Sequence, residues 1–388
     1  MVREVRQMIP PHERMVERLV EEGALAAEWR GAFAAVPRHL FLPDEIADPD
    51  TGVPVDRYRG ELRWLEAAYA DVPVVTQVDD GARYGPGEPT SSSPAPSSVA
   101  ETVQRLRLAP GMRVLEVGTG SGYTAALLAR FLGDDAVTSV EIDFELAEQA
   151  RVRLMSAGLT PLVVSGDGMR GWAGRAPYDR VVSAVTVQRV PYAWVAQCQP
   201  GGRVLTPWGT AFHHGVTADL VVGPHGTAHG RFTGHTDRMW ARADRTPRHL
   251  LETYVRPEDD EYTTTCSRLH PGEVVGDSDG AFAVGLQMPD VHRIVRLGGG
   301  PEDPRFTVYL LDSSTWSWAS WHIDPGHRDQ GYEVRQHGPR RLFDELEAAH
   351  LLWVESGRPA HTRFGLTVSA EHQLVWLDDE ATIFAAMR

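Results

Sequence analysis

Only two cysteines, Cys198 and Cys266, occur in 388 residues. They stand far apart and outside any metal-ligand spacing, which argues against a disulfide framework and against a cysteine-built zinc centre. No metal centre is expected. A surplus of positive charge is also missing: 38 Lys and Arg face 53 Asp and Glu, a net charge of −15 at pH 7. A phosphate backbone rewards cations, so nucleic acid is not the expected partner. No apolar run approaches the ~20 residues that a bilayer-spanning helix needs. The N-terminal stretch MVREVRQMIPPHERMVERLVEEG is charged and amphipathic, without the apolar core of a secretion signal. No membrane partner is expected, and the chain reads as cytoplasmic. Internal repeats are lacking too.

What is present is an ordinary globular composition, 42% apolar and 23% charged. The length suits two domains better than one. HERMVERLVEEGAL and EWRGAFAAVPRHLFLP read as helices, the second stopping before Pro37. The segment from Thr76 to Ser98 is rich in Gly, Pro and Ser and resembles a linker. Its place before a glycine-rich motif marks it as a functional loop instead. From there strand and helix alternate. MRVLEVG, VTSVEI, PLVVSG, YDRVVSAV and GRVLTPW are strands; Tyr123–Phe131, Phe144–Ala157 and YAWVAQCQ are helices, with Asp143 as an N-cap. VTADLVVGPHGTAHGRF reads as a hairpin. Apolar strands between helices predict a parallel sheet covered on both faces, with an antiparallel edge.

Beyond about Asp244 the pattern changes. EDDEYTTT and LGGGPEDP read as loops, and AFAVGLQ, FTVYLLD, STWSWASWHI and YEVRQH as strands. PRRLFDELEAAHLLWVESG is an amphipathic helix, and RFGLTVSAEHQLVWLDD a closing hairpin. Residues 1–245 are thus expected to form a catalytic domain and 246–388 an α+β domain.

The chemistry lies in VLEVGTGSGYTAALLA, Val114–Ala129. A dinucleotide site wants G-x-G-x-x-G, whereas Gly118, Gly120 and Gly122 are one residue tighter. The turn leads into a helix N-terminus and should present backbone N–H groups. Glu116 precedes it, which suits a ligand with a cationic end. The next strand ends in Glu141, able to take both hydroxyls of a ribose. The third ends in GDG, where Asp167 can accept from an exocyclic adenine amine. Three acids at three successive strand ends suit an amino acid, a ribose and an adenine, and S-adenosylmethionine is that ligand. Thr119 and Gly168 complete the candidate cofactor set.

VPRHLFLP, AYAD, LAPGMRVLEVGTGSGY, GDGMRGW and APYDRVV followed by PGGRVLTPWG resemble protein-L-isoaspartate O-methyltransferases, in order over roughly residues 10–245. The resemblance implies the class I S-adenosylmethionine-dependent fold, a Rossmann-like, mostly parallel sheet with an antiparallel edge, joined here to a C-terminal α+β domain. It also implies that cofactor, held by Glu116, Gly118, Gly120, Gly122, Glu141 and Asp167. WLEAAYADVPVVTQVDDG, PTSSSPAPS and the tail RFGLTVSAEHQLVWLDD look like the subgroup that accompanies ATP-grasp ligases in graspetide maturation. That likeness implies a cross-linked precursor peptide as substrate, an ATP-grasp ligase as functional partner, and an aspartyl ester that leads to an aspartimide. Repair enzymes of the family carry a T-I-S-[QA]-P-type segment. Aligning Ala95-Pro96 with its end puts Pro94 at the serine, leaving Ser92 and Ser93 as candidate catalytic hydroxyls. Repair of isoaspartyl residues and a non-catalytic cofactor-binding module remain the rival readings. Repair enzymes are expected to function without the C-terminal domain, which is therefore assigned to recognition of one large peptide.

Other residues admit a chemical or a structural role. Arg38-His39 either reach a substrate carboxylate or serve the fold, and Tyr69 and Asp71 border the pocket or tie the N-terminal segment to the sheet. His213-His214, adjacent on a strand, point to opposite faces and are read as non-metal. Trp316 and Trp318 share a strand face, as core or as a peptide platform. Arg340 and Arg341 read as a solvated helix start.

Overall fold

The computed structural model describes residues 10–256, 261–300 and 303–387; the amphipathic reading of residues 1–9 lies outside them. The chain divides into two units, one of Met1–Val185, Pro191–Thr206 and Leu220–Ala228, the other of Thr186–Val190, Pro207–Asp219 and His229–Arg388.

In the first unit, Pro11–Glu21 (α1) buries Met15, Val16 and Leu19, and Ala27–Ala35 (α2) buries Trp29, Ala32 and Phe33. These i, i+3, i+4 stripes are what a helix on an apolar core requires. Trp29 stacks on Phe131 with ring centroids 4.1 Å apart. Two short strands, Glu45–Ala47 (β1) and Pro54–Asp56 (β2), pair antiparallel before the helix Glu61–Ala68 (α3).

The segment read as a loop is ordered. Val74–Val78 (β3) and Pro89–Ser93 (β4) form an antiparallel hairpin, followed by the helix Pro96–Arg105 (α4). Gly and Pro cluster in the turn between the strands, while Thr and Ser on β4 carry no apolar alternation that would betray a strand.

The sheet follows: Val114–Val117 (β5), Tyr123–Leu132 (α5), Val137–Glu141 (β6), Phe144–Ser156 (α6), Leu162–Ser165 (β7), Tyr178–Ser183 (β8), Tyr192–Ala196 (α7) and Cys198–Trp208 (β9). β5 pairs parallel with β6 and β8, β6 with β7, and β8 with β9. The order is β9-β8-β5-β6-β7. The chain runs outward from β5, then returns to its other side, so a topological switch point falls at β5, where ligands of such sheets bind. Asp143 caps α6 as expected, its Oδ1 accepting from Leu146 N at 3.0 Å. Val216–Val222 (β10) and Ala228–His235 (β11) form the predicted hairpin, closed by Gly223 N donating to Thr227 O at 2.7 Å.

The second unit holds Leu250–Tyr254 (α8), Tyr262–Ser267 (β12), Pro271–Val274 (α9), Ser278–Gln287 (α10), His292–Leu297 (β13), Phe306–Asp312 (β14), Ser317–Ile323 (β15), Tyr332–His337 (β16), Leu342–Glu355 (α11), Phe364–Val368 (β17), Gln373–Leu377 (β18) and Ile383–Met387 (β19). An antiparallel sheet of order β12-β16-β15-β14-β13 packs Val308, Leu310, Ala319, Trp321 and Val334 against Leu342, Leu346 and Ala349 of α11. β17, β18 and β19 pair antiparallel.

Three expectations fail here. AFAVGLQ is helix, not strand: Asp277 caps it by accepting from Asp279 N and Gly280 N, and Gly280–Leu286 are all buried. A helix buried all round shows no polar face, so its short apolar run imitates a strand. Of EDDEYTTT, residues 258–260 lie outside the described residues, and the threonines form β12 rather than loop. Trp316 and Trp318 do not share a face. Trp316 sits in the turn before β15 at φ +58° and is 56% exposed, whereas Trp318 is 4% exposed. Among the described residues no helix is long and apolar enough to cross a membrane.

Candidate active site

β5 ends at Val117, and Gly118–Gly122 turn the chain into α5. The turn differs from the expected row of free amides. Gly118 N donates to Val140 O (2.8 Å), Gly120 N to Glu141 Oε2 (2.8 Å) and Gly122 N to Thr119 O (2.9 Å). What these glycines supply is backbone conformation, with φ of +88°, +53° and +90°, a region unfavourable to any side chain.

The three acids meet different fates. Glu116 lies inside β5 and is 1% exposed. Its Oε2 accepts from Ser139 Oγ at 2.5 Å, and Ser139 Oγ lies 2.6 Å from Thr119 Oγ1, so the Thr119 hydroxyl is spent on a relay. Oε1 of Glu116 is buried with no partner among the described residues. Burial pushes this carboxyl up to about 8, the Ser139 hydrogen bond opposing and Glu141 adding repulsion. It therefore holds its proton at pH 7.

Glu141 closes β6 and takes Gly120 N on one oxygen and Asp143 N on the other, at 2.8 and 3.0 Å. A carboxylate has about four acceptor positions, and these two amides hold the Glu141 carboxylate at the end of β6. Gly166 N donates to Glu141 O, which sets the GDG turn beside it. Asp167 is exposed; its Oδ1 accepts from Met169 N at 2.9 Å and its Oδ2 lies 3.6 Å from Arg170 Nε. At Gly168 an added Cβ would stand 2.5 Å from Val117 Cγ1, so only glycine allows this turn to lie on β5. Two residues escaped the sequence reading: Ile142, 50% exposed, and Phe144, also exposed, follow Glu141 with their apolar surface in solvent.

The β3–β4 hairpin supplies the hydroxyls. Ser91 Oγ is 3.5 Å from the space a Cβ on Gly120 would fill, and it accepts from Thr76 Oγ1 at 2.9 Å. Gln77 Nε2 donates to Asp143 Oδ2 (3.2 Å) and its Oε1 accepts from Thr90 Oγ1 (3.0 Å). Strand alternation puts Ser91 and Ser93 on one face and half-buried Ser92 on the other. Ser93 Oγ is buried without a partner among the described residues. Ser91, which sequence reasoning passed over, is thus the hydroxyl placed against the glycine turn. Thr90-Ser91-Ser92-Ser93 is polar throughout, so the sequence carried no signal that singled out Ser91.

Arg38 reaches no open surface. Its Nη1 donates to the carbonyls of Ala68 (2.6 Å) and Ala70 (3.3 Å), and its Nη2 to those of Val72 (3.0 Å), Ser93 (3.3 Å) and Pro94 (2.9 Å). Burial lowers its pKa to about 10, which leaves it charged at neutral pH. It fastens the Ser93–Pro94 corner to the turn after α3. His39 Nδ1 lies 2.5 Å from Tyr69 Oη, and Asp71 Oδ1 accepts from Ser97 N at 2.9 Å, so these residues also tie segments together. In the second unit Arg340 is bound by Asp312 and Glu345 rather than solvated, and Arg341 Nε lies 3.7 Å from Asp344 Oδ2.

Residues 53–218 match the family model for Protein-L-isoaspartate(D-aspartate) O-methyltransferase (PCMT). A protein-L-isoaspartate O-methyltransferase of Hyperthermus butylicus is 37% identical over 210 residues, 51% of this chain and 75% of the relative. One from Methylorubrum extorquens is 38% identical over 197 residues, covering 50% and 73%. A solved structure titled protein-L-isoaspartate O-methyltransferase is similar with TM-score 0.54 and 22% identity, over 95% of this chain and 100% of its own. The fold is that of the class I S-adenosylmethionine-dependent methyltransferases, with a further antiparallel C-terminal sheet. That likeness in fold runs through almost the whole chain.

Proposed function

The chain belongs to the protein-L-isoaspartate O-methyltransferase family, and from that membership we propose that it methylates a side-chain aspartate of a ribosomally made peptide cross-linked by an ATP-grasp ligase, the ester then closing to an aspartimide. It is a protein carboxyl O-methyltransferase, dependent on S-adenosylmethionine. When bound, that cofactor supplies an electrophilic methyl carbon on a sulfonium.

The residues present fit it. The unpartnered Oε1 of Glu116 suits the ammonium end, the Glu141 carboxylate at the end of β6 suits the ribose hydroxyls, and exposed Asp167 suits the adenine amine. The exposed flank of Ile142 suits the flat face of the base. Thr119 and the glycines shape the turn that brings these groups together.

An aspartate with a reference pKa of ~3.9 is already ionised at neutral pH, so the protein needs no strong base. Its task is to orient one carboxylate oxygen in line and to keep water out. Hydroxyls on β4 can donate to the other oxygen, with Arg38 holding their strand in place. In the ester, the next backbone nitrogen attacks the side-chain carbonyl carbon; the new C–N bond replaces C–OCH3, and methanol leaves with the amide proton.

One observation carries the reading: a serine-bearing strand lies against the glycine turn, with Ser91 Oγ 3.5 Å from the space a Cβ on Gly120 would fill; the resemblance adds that Pro94 stands where the repair segment has serine. The likeness of WLEAAYADVPVVTQVDDG and PTSSSPAPS to the ATP-grasp-associated subgroup supports the substrate class. Isoaspartyl repair is the second reading, favoured by the names of the curated relatives. Mass spectrometry decides between them. Incubated with cofactor, the cross-linked precursor should lose the mass of one water through ester and aspartimide, while an isoaspartyl peptide stays unchanged. Methylation of the isoaspartyl peptide alone establishes repair, and no product from either substrate leaves a binding module.

A further inference from the structure

Outside the site described above, the second unit gathers three side chains that local sequence gives no reason to connect. His235 ends β11, Asp279 lies in the first turn of α10, and His361 belongs to the turn before β17. One ring nitrogen from each histidine and one carboxylate oxygen lie within 4.8 Å of one another. The two imidazoles face each other with centroids 4.1 Å apart. We propose that His235, Asp279 and His361 form a binding site for one divalent transition-metal ion of the zinc class.

The second observation is independent of that clustering. His361 is 9% exposed, and its Nε2 is buried without a hydrogen-bond partner among the described residues. Its Nδ1 lies 2.7 Å from Asp279 Oδ1, which also accepts from His361 N at 2.8 Å. A proton held on Nδ1 by a carboxylate leaves Nε2 as a bare lone pair. This is how protein histidines are oriented and made more basic for a metal. A buried imidazole nitrogen with nothing to bond is otherwise unfavourable.

The surroundings agree. Phe282 sits edge-on to both His361 and His213, at 6.3 and 5.8 Å, and Phe364 packs on Phe282 at 5.5 Å. An apolar collar of this kind strengthens ligand bonds by excluding water. His213, 6.1 Å from His235, likewise has a buried Nδ1 without a partner among the described residues, and stands next to the cluster. Two or three imidazoles, one of them held by Asp279 through Nδ1, suit zinc, cobalt or nickel, and not the all-oxygen shells of calcium and magnesium. Bound there, the ion joins three segments separated by 44 and 82 residues, as read from positions 235, 279 and 361. Its role is to staple the second unit.

The test uses the full chain stripped with a chelator and then titrated with zinc or cobalt. About one equivalent per chain should bind, with a rise in Tm on zinc and the visible absorption of nitrogen-ligated cobalt. His235→Gln and His361→Gln should each abolish uptake, and Asp279→Asn should weaken it about 10- to 100-fold. His327→Gln, on an exposed surface histidine, should leave it unchanged. Failure of the stripped wild-type chain to take up either ion overturns the proposal even if the variants do not fold. Uptake that survives both histidine substitutions overturns it as well.

Discussion

The two units place their chemistry in opposite ways. In the first, Glu116, the glycine turn, Glu141 and Asp167 fall within 52 residues and lie at neighbouring strand ends, because strands 20 to 25 residues apart in sequence pair side by side. In the second, His235, Asp279 and His361 are joined only by tertiary packing. A parallel sheet turns sequence order into spatial order, whereas an antiparallel α+β unit hides it. A motif can therefore be read along the sequence in one and not in the other.

Arg38 breaks that contrast most sharply, since it is a long-range element within the first unit. Arg38→Met strips a donor from five carbonyls drawn from Ala68–Val72 and Ser93–Pro94. Losing the charged partner should cost roughly 3–5 kcal/mol in chemical denaturation. Arg38→Lys should recover less than half, because an ammonium cannot span both turns. Indifference to either change would mean the β4 corner holds itself.

The tryptophans of the second unit sharpen the comparison at intermediate size. Trp318→Ala should destabilise by about 3 kcal/mol or more through a core cavity. Trp316→Ala, at an exposed turn, should stay within about 0.5 kcal/mol. Equal effects in thermal melts would restore the shared-face reading.

The smallest effect is a proton. With Glu116 raised to about 8 by burial, its contribution to the free protein's stability is complete below the unfolded value near 4.5 and is lost as pH climbs through about 8. If its free oxygen receives the cofactor's ammonium, binding at pH 7 must expel close to one proton. Affinity should then rise with pH up to about 8 and level off. Calorimetry in buffers of differing ionisation enthalpy reads that proton directly, and Glu116→Gln should erase both slopes.

Much of the first unit was legible. The strands and helices from Val114 to Trp208 follow from uninterrupted apolar runs, and the Asp143 cap from its position before a helical stripe. The three acids were placed at strand ends from order alone, yet their environments were not. Nothing local says that Glu116 is sealed inside β5 while Asp167 stands in solvent, since burial depends on what Ser139 and the neighbouring strands bring. The β3–β4 hairpin was missed because its stabilising pairs, Thr76 with Ser91 and Gln77 with Thr90, are polar and cross a turn of eight or more residues. In the second unit α10 was misread as strand, for want of a polar face.

Gln77 grips the cap of α6 while Ser91, on the opposite arm of the same ribbon, rests on Gly120. One short ribbon is thereby tied at once to the start of a helix and to the glycine bend after β5, so whatever fixes one arm also limits where the other can lie.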